Sequence, residues 1–163
     1  MILPASKKIK LNFSKEKIWD LISSPRYLEL VHPFCKSNKI IRWDDKGHKD
    51  ILLYNNNRTY IRDFYEWKIN EGYKLMIGEK GKDKSRVIWE IKEDNQTSTL
   101  KISVYPYIFS NKPAVIYLFY YIFFINPFLR SYLHNVLKGI DWYLNNNTPV
   151  KKNQFGIHKW FSK

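Results

Sequence analysis

The sequence predicts an α+β fold: a curved antiparallel sheet wrapped on a long C-terminal helix, with two short helices after the first strand. Three observations carry this expectation. Between residues 38 and 107, short apolar-alternating runs follow one another with only brief polar turns between them, the pattern of neighbouring antiparallel strands. From Leu129 onward, Leu133, Val136, Ile140 and Leu144 recur at helical spacing, marking one buried helix face. Between the first strand and the long run of strands, Ser14 and Ser24-Pro25 each read as a helix start.

The elements follow in order. Lys8–Phe13 alternates Ile9, Leu11 and Phe13 with polar residues, a first strand. Ser14 caps a helix carrying Ile18, Trp19, Leu21 and Ile22, with Glu16 in the favourable first turn. Ser24-Pro25 opens a second helix through Tyr27, Leu28, Leu30 and Val31, stopped by Pro33. Strands are then expected at 38–43, 49–54, 58–67, 73–78, 85–92 and 98–107. Asn55-Asn56-Asn57 and Asn70-Glu71-Gly72 are turns, because Asn tolerates left-handed backbone. In Val87, Trp89, Ile91 and in Leu100, Ile102, Val104, every second residue is apolar, so one sheet face is buried and the other wet. An unbroken apolar run spans Ala114–Ile125, within an apolar helical segment expected over 113–126. Asn126-Pro127 restarts a helix that Asn145-Asn146-Asn147 and Pro149 end. An aromatic tail occupies 149–163. No internal repeat or low-complexity linker divides the chain, so 1–163 reads as a single domain.

Composition bounds the function. The chain has 163 residues, 44% of them hydrophobic and 17% aromatic. That is enough to bury a core without staples, and rings on both sheet and helix suit a wide core or a hollow one. The net charge of +13 favours anionic partners, although the Lys-, Asn- and Ile-rich composition is also what codon bias produces. The lysines are scattered rather than aligned, which argues against nucleic acid. Cys35 is alone and reads as a small apolar residue rather than part of a disulfide or zinc framework. The four histidines lie in different elements, so no metal site and no cofactor is expected. No H-E-x-x-H, C-x-x-C, G-x-S-x-G or phosphate-loop pattern occurs. The N-terminal residues lack a signal-peptide pattern, which points to the cytoplasm.

The opening Ser14-Lys15-Glu16-Lys17-Ile18-Trp19-Asp20-Leu21-Ile22-Ser23-Ser24-Pro25 resembles that of the START/SRPBCC superfamily, which includes polyketide cyclase/dehydrase and Bet v 1-like helix-grip proteins. By topology the resemblance covers about 8–110 and 127–145. It implies an apolar cavity between the sheet and the long helix. Members bind lipids, sterols, hormones or polyketides, and a minority are enzymes. The chain departs from the family in Ala114–Ile125, longer and more apolar than the usual approach to the last helix.

Candidate ligand-binding residues are Trp19, Tyr60, Arg62, Phe64, Trp89 and His134; no catalytic residue is assigned. On an ideal strand Tyr60, Arg62, Phe64 and Glu66 share a face, so Arg62 could bind a ligand carboxylate or phosphate with Glu66 orienting it. The plainer alternative is a surface ion pair of Arg62 with Asp50 or Glu90. Trp19 and Trp89 have core packing as their plain alternative. Three expectations follow. The structure should hold an apolar pocket of a few hundred Å³ between the sheet and helix 127–144. No two titratable side chains should meet by hydrogen bond inside it, whereas a buried pair such as His134 with a carboxylate would favour a polyketide cyclase-like enzyme over a carrier. Ala114–Ile125 is too short to span a bilayer; it is either a helix buried under sheet and tail or, the favoured reading in so small a domain, one that leaves an aromatic face exposed to an anionic membrane or to a second copy of the chain.

Overall fold

The computed structural model describes residues 4–107 and 118–162. Seven strands form one sheet: β1 (Ala5–Leu11), β2 (Cys35–Asp44), β3 (Gly47–Tyr54), β4 (Thr59–Lys68), β5 (Gly72–Gly78), β6 (Ser85–Asp94) and β7 (Thr97–Tyr105). The spatial order is β1-β7-β6-β5-β4-β3-β2, with every pairing antiparallel. β2 to β7 is therefore a continuous meander, and β1 closes it beside β7. Asn57, Asn70 and Asn95 take positive φ at three of the hairpin turns, as short polar residues do most readily.

After β1 come α1 (Lys15–Ile22) and α2 (Leu28–Val31). Ser14 Oγ accepts the Lys17 N–H at 3.3 Å, satisfying one of the unpaired donors of the first turn of α1. The second helix start differs from expectation. Ser24 Oγ donates to the Leu21 carbonyl at 2.8 Å, so it closes α1 instead of capping α2. Pro25 and Arg26 form a turn, with Arg26 at φ +61°, and α2 begins only at Leu28.

The long helix α3 (Asn126–Asn146) follows a single π-helical turn, Tyr121–Ile125, with residues 118–120 helical before it. Asn147 ends α3 in the left-handed conformation. Leu129, Leu133, Val136 and Ile140 are buried against the sheet, as their spacing requires. Val87, Trp89 and Ile91 on β6, and Leu100, Ile102 and Val104 on β7, are likewise buried. The tail packs back on the fold: Val150 N–H bonds the Leu30 carbonyl and Asn153 N–H the Pro33 carbonyl, both at 2.9 Å.

β4 carries one irregularity that matters for the site. Phe64 pairs with Leu75, but Glu66 pairs with Lys74, so Tyr65 is an extra residue in the ladder. A bulge of this kind swaps the two faces of the strand beyond it. Trp67 therefore points inward and Glu66 outward, where Glu66 pairs with Lys74 at 2.8 Å and Lys68 at 3.5 Å. The expected shared face of Arg62 and Glu66 does not form.

α3 crosses α2 at Gly139, where an added Cβ would lie 1.8 Å from the Val31 carbonyl oxygen. Helix propensity alone would make Gly139→Ala stabilising by about 1 kcal/mol. The contact reverses the sign: the variant should lose about 2 kcal/mol or more of unfolding free energy. Equilibrium denaturation measures this directly, and a variant as stable as the wild type would mean that α2 and α3 do not approach this closely.

Candidate functional site: a polar-floored apolar pocket

A pocket of about 360 Å³ lies between the sheet and α3. Most of its wall is aliphatic or aromatic, including Leu52, Val87, Ile102, Leu133 and Val136. Pockets of this size and lining suit small apolar molecules. At one end the tail completes the wall with Trp160 and Phe161. Phe161 stacks on Tyr54 at 4.3 Å, and Asn56 Nδ2 donates to the Trp160 carbonyl. The His158 Nε2 atom lies 3.0 Å from the Phe128 carbonyl oxygen, tying the tail to α3.

Besides the polar groups of Tyr60, Ser85, Tyr107 and Tyr120, two hydrogen-bonded sets of polar side chains reach the wall. In the first, Arg62 and Asp50 stand directly opposite each other on β4 and β3. Arg62 Nε donates to Asp50 Oδ1 at 2.8 Å and Nη2 to Oδ2 at 2.5 Å, a two-pronged bond. Asp50 is fully buried and Arg62 is 3% exposed. Nη1 donates to Tyr27 Oη at 3.1 Å, and Tyr27 Oη lies 2.6 Å from Tyr73 Oη. The guanidinium also faces the Tyr27 and Phe64 rings at 5.3 and 5.1 Å. Of its five N–H groups, three are engaged within the protein, and the carboxylate beside it matches its charge.

In the second set His32, Tyr132 and Tyr54 form a chain. His32 Nδ1 accepts the Phe34 N–H at 3.2 Å, so its proton sits on Nε2, which donates to Tyr132 Oη at 2.7 Å. Tyr132 Oη is 3.1 Å from Tyr54 Oη. One hydroxyl proton links the two tyrosines, and the other has no acceptor in the chain. Tyr54 and Tyr132 both line the pocket, so whichever of them keeps the spare proton can offer it to a ligand there.

These contacts overturn the expectation that no titratable pair meets in the pocket. They do not produce an acid/base pair, because the environment moves the pKa values of the imidazole and the phenols away from neutral pH in opposite directions, leaving every group uncharged. Burial, and secondly the Arg62 charge, lower His32 to about 3. Burial raises Tyr54 and Tyr132, and the neighbouring Tyr132 raises Tyr54 further. A neutral imidazole and two neutral phenols remain at neutral pH. They hold hydrogen bonds rather than exchange protons, since proton transfer works best with pKa values near the working pH.

Of the six candidate residues, Tyr60, Arg62 and Trp89 line the pocket. Trp19 and Phe64 stand instead in a ring cluster beside it. Trp19 meets Trp67 edge-on at 5.1 Å, Trp67 stacks on Tyr73 at 5.2 Å, and Phe64 contacts Trp43 and Tyr73 at 5.4 and 5.1 Å. The bulge at Tyr65 causes this by turning Trp67 inward into the space between them. His134 is exposed on the solvent side of α3, one residue past the buried Leu133, and does not line the pocket. Arg62 lines the pocket with Asp50, not Glu66, as its carboxylate partner, so the expected anion site oriented by Glu66 does not form. That pairing is also not the surface ion pair of the plainer alternative. Sequence reasoning missed His32, Tyr54, Tyr132 and the placement of Asp50. Asp50, Leu52 and Tyr54 are spaced by two and are all buried, so the alternation of β3 carried a signal for two of them. Tyr132 lies three residues after Leu129 and four before Val136, on the buried face. His32 has no such signal.

Cys35 is half-buried against the core. Burial, then Glu29, push its thiol up to about 12, which keeps it unreactive. Among the described residues no group of three or more His, Cys, Asp and Glu side chains lies together as metal ligands do. A second concavity, about 720 Å³, is lined by Lys7, Lys8, Lys92, Lys101 and Arg130 together with Glu90, Glu93 and Asp94. Its mixed charges lack the apolar enclosure of the first.

The His32 geometry fixes the sign of a pH effect. In the unfolded chain a histidine protonates below about 6.5. In the fold His32 stays neutral down to about 3. Between these values the unfolded state binds more protons, so stability falls as pH falls, by up to about 1.4 kcal/mol per pH unit from this one group. Denaturation curves between pH 4 and 6 should show His32→Gln flattening the slope by about one proton. An unchanged slope would mean that His32 titrates normally in the fold.

No family model and no curated protein matches the sequence. Solved structures do match by fold. A START superfamily protein from Mycobacterium smegmatis superposes with a TM-score of 0.68 at 14% identity, over 90% of this chain and 99% of that one. DynU16, from the dynemicin biosynthetic locus, gives 0.67 at 10% identity, over 90% of this chain but 48% of its own. Ara h 8.0201 gives 0.62 at 11% identity, over 90% and 100%. With its seven-stranded antiparallel sheet, two short helices after β1 and long C-terminal helix, the chain has the helix-grip fold of the START/SRPBCC superfamily.

Proposed function

We propose that the protein binds or carries an uncharged, mainly apolar small molecule or lipid in the pocket between the sheet and α3, without chemical transformation. The observation that carries this reading is the combination of an apolar wall with an Arg62 charge already compensated by Asp50 and one tyrosine hydroxyl proton left over. Arg62 is neutralised by Asp50, and the His32–Tyr132–Tyr54 chain keeps all its protons at neutral pH. A ligand carboxylate would have to compete with Asp50 for a charge that is already compensated, at a desolvation cost. A hydroxyl or carbonyl oxygen would only have to accept the spare tyrosine proton. The structural likeness to a START superfamily protein agrees with a ligand of this kind.

The cyclase-like alternative gains one specific support: a neutral tyrosine hydroxyl in an apolar pocket can polarise a carbonyl. It lacks a base near neutrality, so we rank it second. A peripheral membrane module, drawing on the exposed apolar residues before α3, is compatible with the carrier and sets where its cargo would come from.

Native mass spectrometry of protein purified without detergent tests the carrier reading. Wild type should retain one apolar molecule per chain. Leu133→Trp, which fills the pocket from α3, should lose it while keeping its circular dichroism spectrum. A wild type that is empty and remains unable to bind when offered neutral lipids would refute the reading.

A further inference from the structure

The helical segment that enters α3 is apolar on nearly every side. Leu118, Phe119, Tyr120, Ile122, Phe123 and Phe124 are all exposed, with Phe119 and Phe123 each 61% exposed. Phe119 packs on Phe123 at 4.6 Å and Tyr120 on Phe124 at 5.2 Å, so the rings form continuous ridges. No charged residue occurs from Leu118 to Leu129. The earlier part of the apolar run, 114–117, and Lys112 lie outside the described residues. An exposed apolar patch this concentrated marks an interaction site.

Three further observations select the occupant. No helix among the described residues is long and apolar enough to cross a membrane. From Leu118 to Leu129 the helix rises only about 18 Å, against a hydrocarbon core of about 30 Å. It can lie in a membrane surface but cannot span it. Next, the charge discriminates between a bilayer and a second copy. A chain of net charge +13 repels its own copy and is drawn to an anionic surface. Arg130, immediately past the apolar stretch, shares a concavity with Lys7, Lys8, Lys92 and Lys101 and with Glu90, Glu93 and Asp94, whose carboxylates pair with Lys101, Lys15 and Lys10, so Lys7, Lys8, Lys92 and Arg130 are left over. Among the described residues none of these four has a carboxylate within ion-pairing distance. Finally, the patch is continuous with the pocket. Tyr107 and Tyr120, both half exposed to solvent, and the buried Ile125 all line it.

We propose that residues 118–124 are an in-plane anchor for anionic bilayers, seated so that the Tyr107–Tyr120 end of the pocket faces lipid and cargo passes between bilayer and pocket without crossing water. The rings enter the region between headgroups and chains, Tyr120 at headgroup depth, while Arg130 and the nearby lysines meet anionic headgroups. The passage part rests on the ligand-binding reading above; the anchor does not.

The test is co-sedimentation of the full chain with vesicles of phosphatidylcholine, and of phosphatidylcholine mixed with phosphatidylserine. The wild type should pellet with the anionic vesicles and be released by salt. Phe119→Ser/Phe123→Ser should bind them at least about tenfold more weakly. Both proteins should take up 1-decanol from vesicle-free buffer equally, since neither Phe119 nor Phe123 lines the pocket. Three results would overturn the anchor: a wild type that stays in the supernatant, equal pelleting of the double variant, or a dimer that the double variant abolishes while vesicles are ignored. Vesicle binding by a wild type that takes up no decanol would support the anchor and refute the ligand-binding reading.

Discussion

The Arg62 guanidinium and the Asp50 carboxylate face each other across β3 and β4 with almost no contact with water, and the character of the pocket depends on that pairing. A buried ion pair is poor evidence of stability in itself, because desolvation offsets much of the attraction. Its constraint is stronger than its energy. Removing either partner strands a charge in the core at a cost of about 3–5 kcal/mol, so the register of β3 on β4 cannot slip by a residue. The pair also sets the electrostatics around it. It holds Tyr27 in place, and through Tyr27 it reaches Tyr73 in the ring cluster. Its positive end helps to keep His32 neutral. The floor of the pocket is therefore strongly polar yet carries no net charge to offer a ligand.

The sheet's concave face is filled unevenly as a consequence. Around Trp19, Trp43, Phe64, Trp67 and Tyr73, rings pack edge-on, tilted and stacked, with centroids 5.1 to 6.3 Å apart, which leaves no room for a guest. Toward Tyr107 and Trp160 the wall is lined by smaller aliphatic side chains such as Val87, Ile102, Val104 and Val136, and the space is open. Arg62 stands at the boundary between the two regions. The chain's rings thus serve two purposes: one group makes a solid core at the α1 end, and the other walls a hollow whose far end adjoins the exposed rings ahead of α3.

The fold was largely legible in the sequence because its signals are periodic and local. β6 and β7 alternate strictly, α3 carries a stripe of Leu, Val and Ile, and asparagines mark the turns. The site was legible only in part, and the failures have particular causes. A period of two holds along β4 only as far as Phe64; the extra residue at Tyr65 resets the phase, so Glu66 does not share the face of Arg62 that ideal alternation gives it. His134 attracted notice as a histidine on the long helix, yet Tyr132, in phase with Leu129 and Val136, is the residue facing the pocket. Asp50 was named as a partner for Arg62 but placed at the surface. Its position in phase with Leu52 and Tyr54 pointed inward, and charge alone suggested otherwise. His32 faces the pocket because α2 packs between β2 and α3, a tertiary placement that no local pattern encodes.

The account's central claim is that the pocket accepts an uncharged oxygen through a tyrosine hydroxyl and discriminates against an anion. Calorimetric titration of wild type and Tyr54→Phe/Tyr132→Phe with 1-decanol and with decanoate measures this directly. The account predicts saturable one-to-one decanol binding with a negative heat-capacity change. It also predicts decanoate binding weaker than decanol by about tenfold or more, and a preference for decanol that narrows in the double variant, which lacks the spare proton. Decanoate binding as tightly as decanol or tighter would contradict it, because Arg62 would then be free to meet an anion despite Asp50.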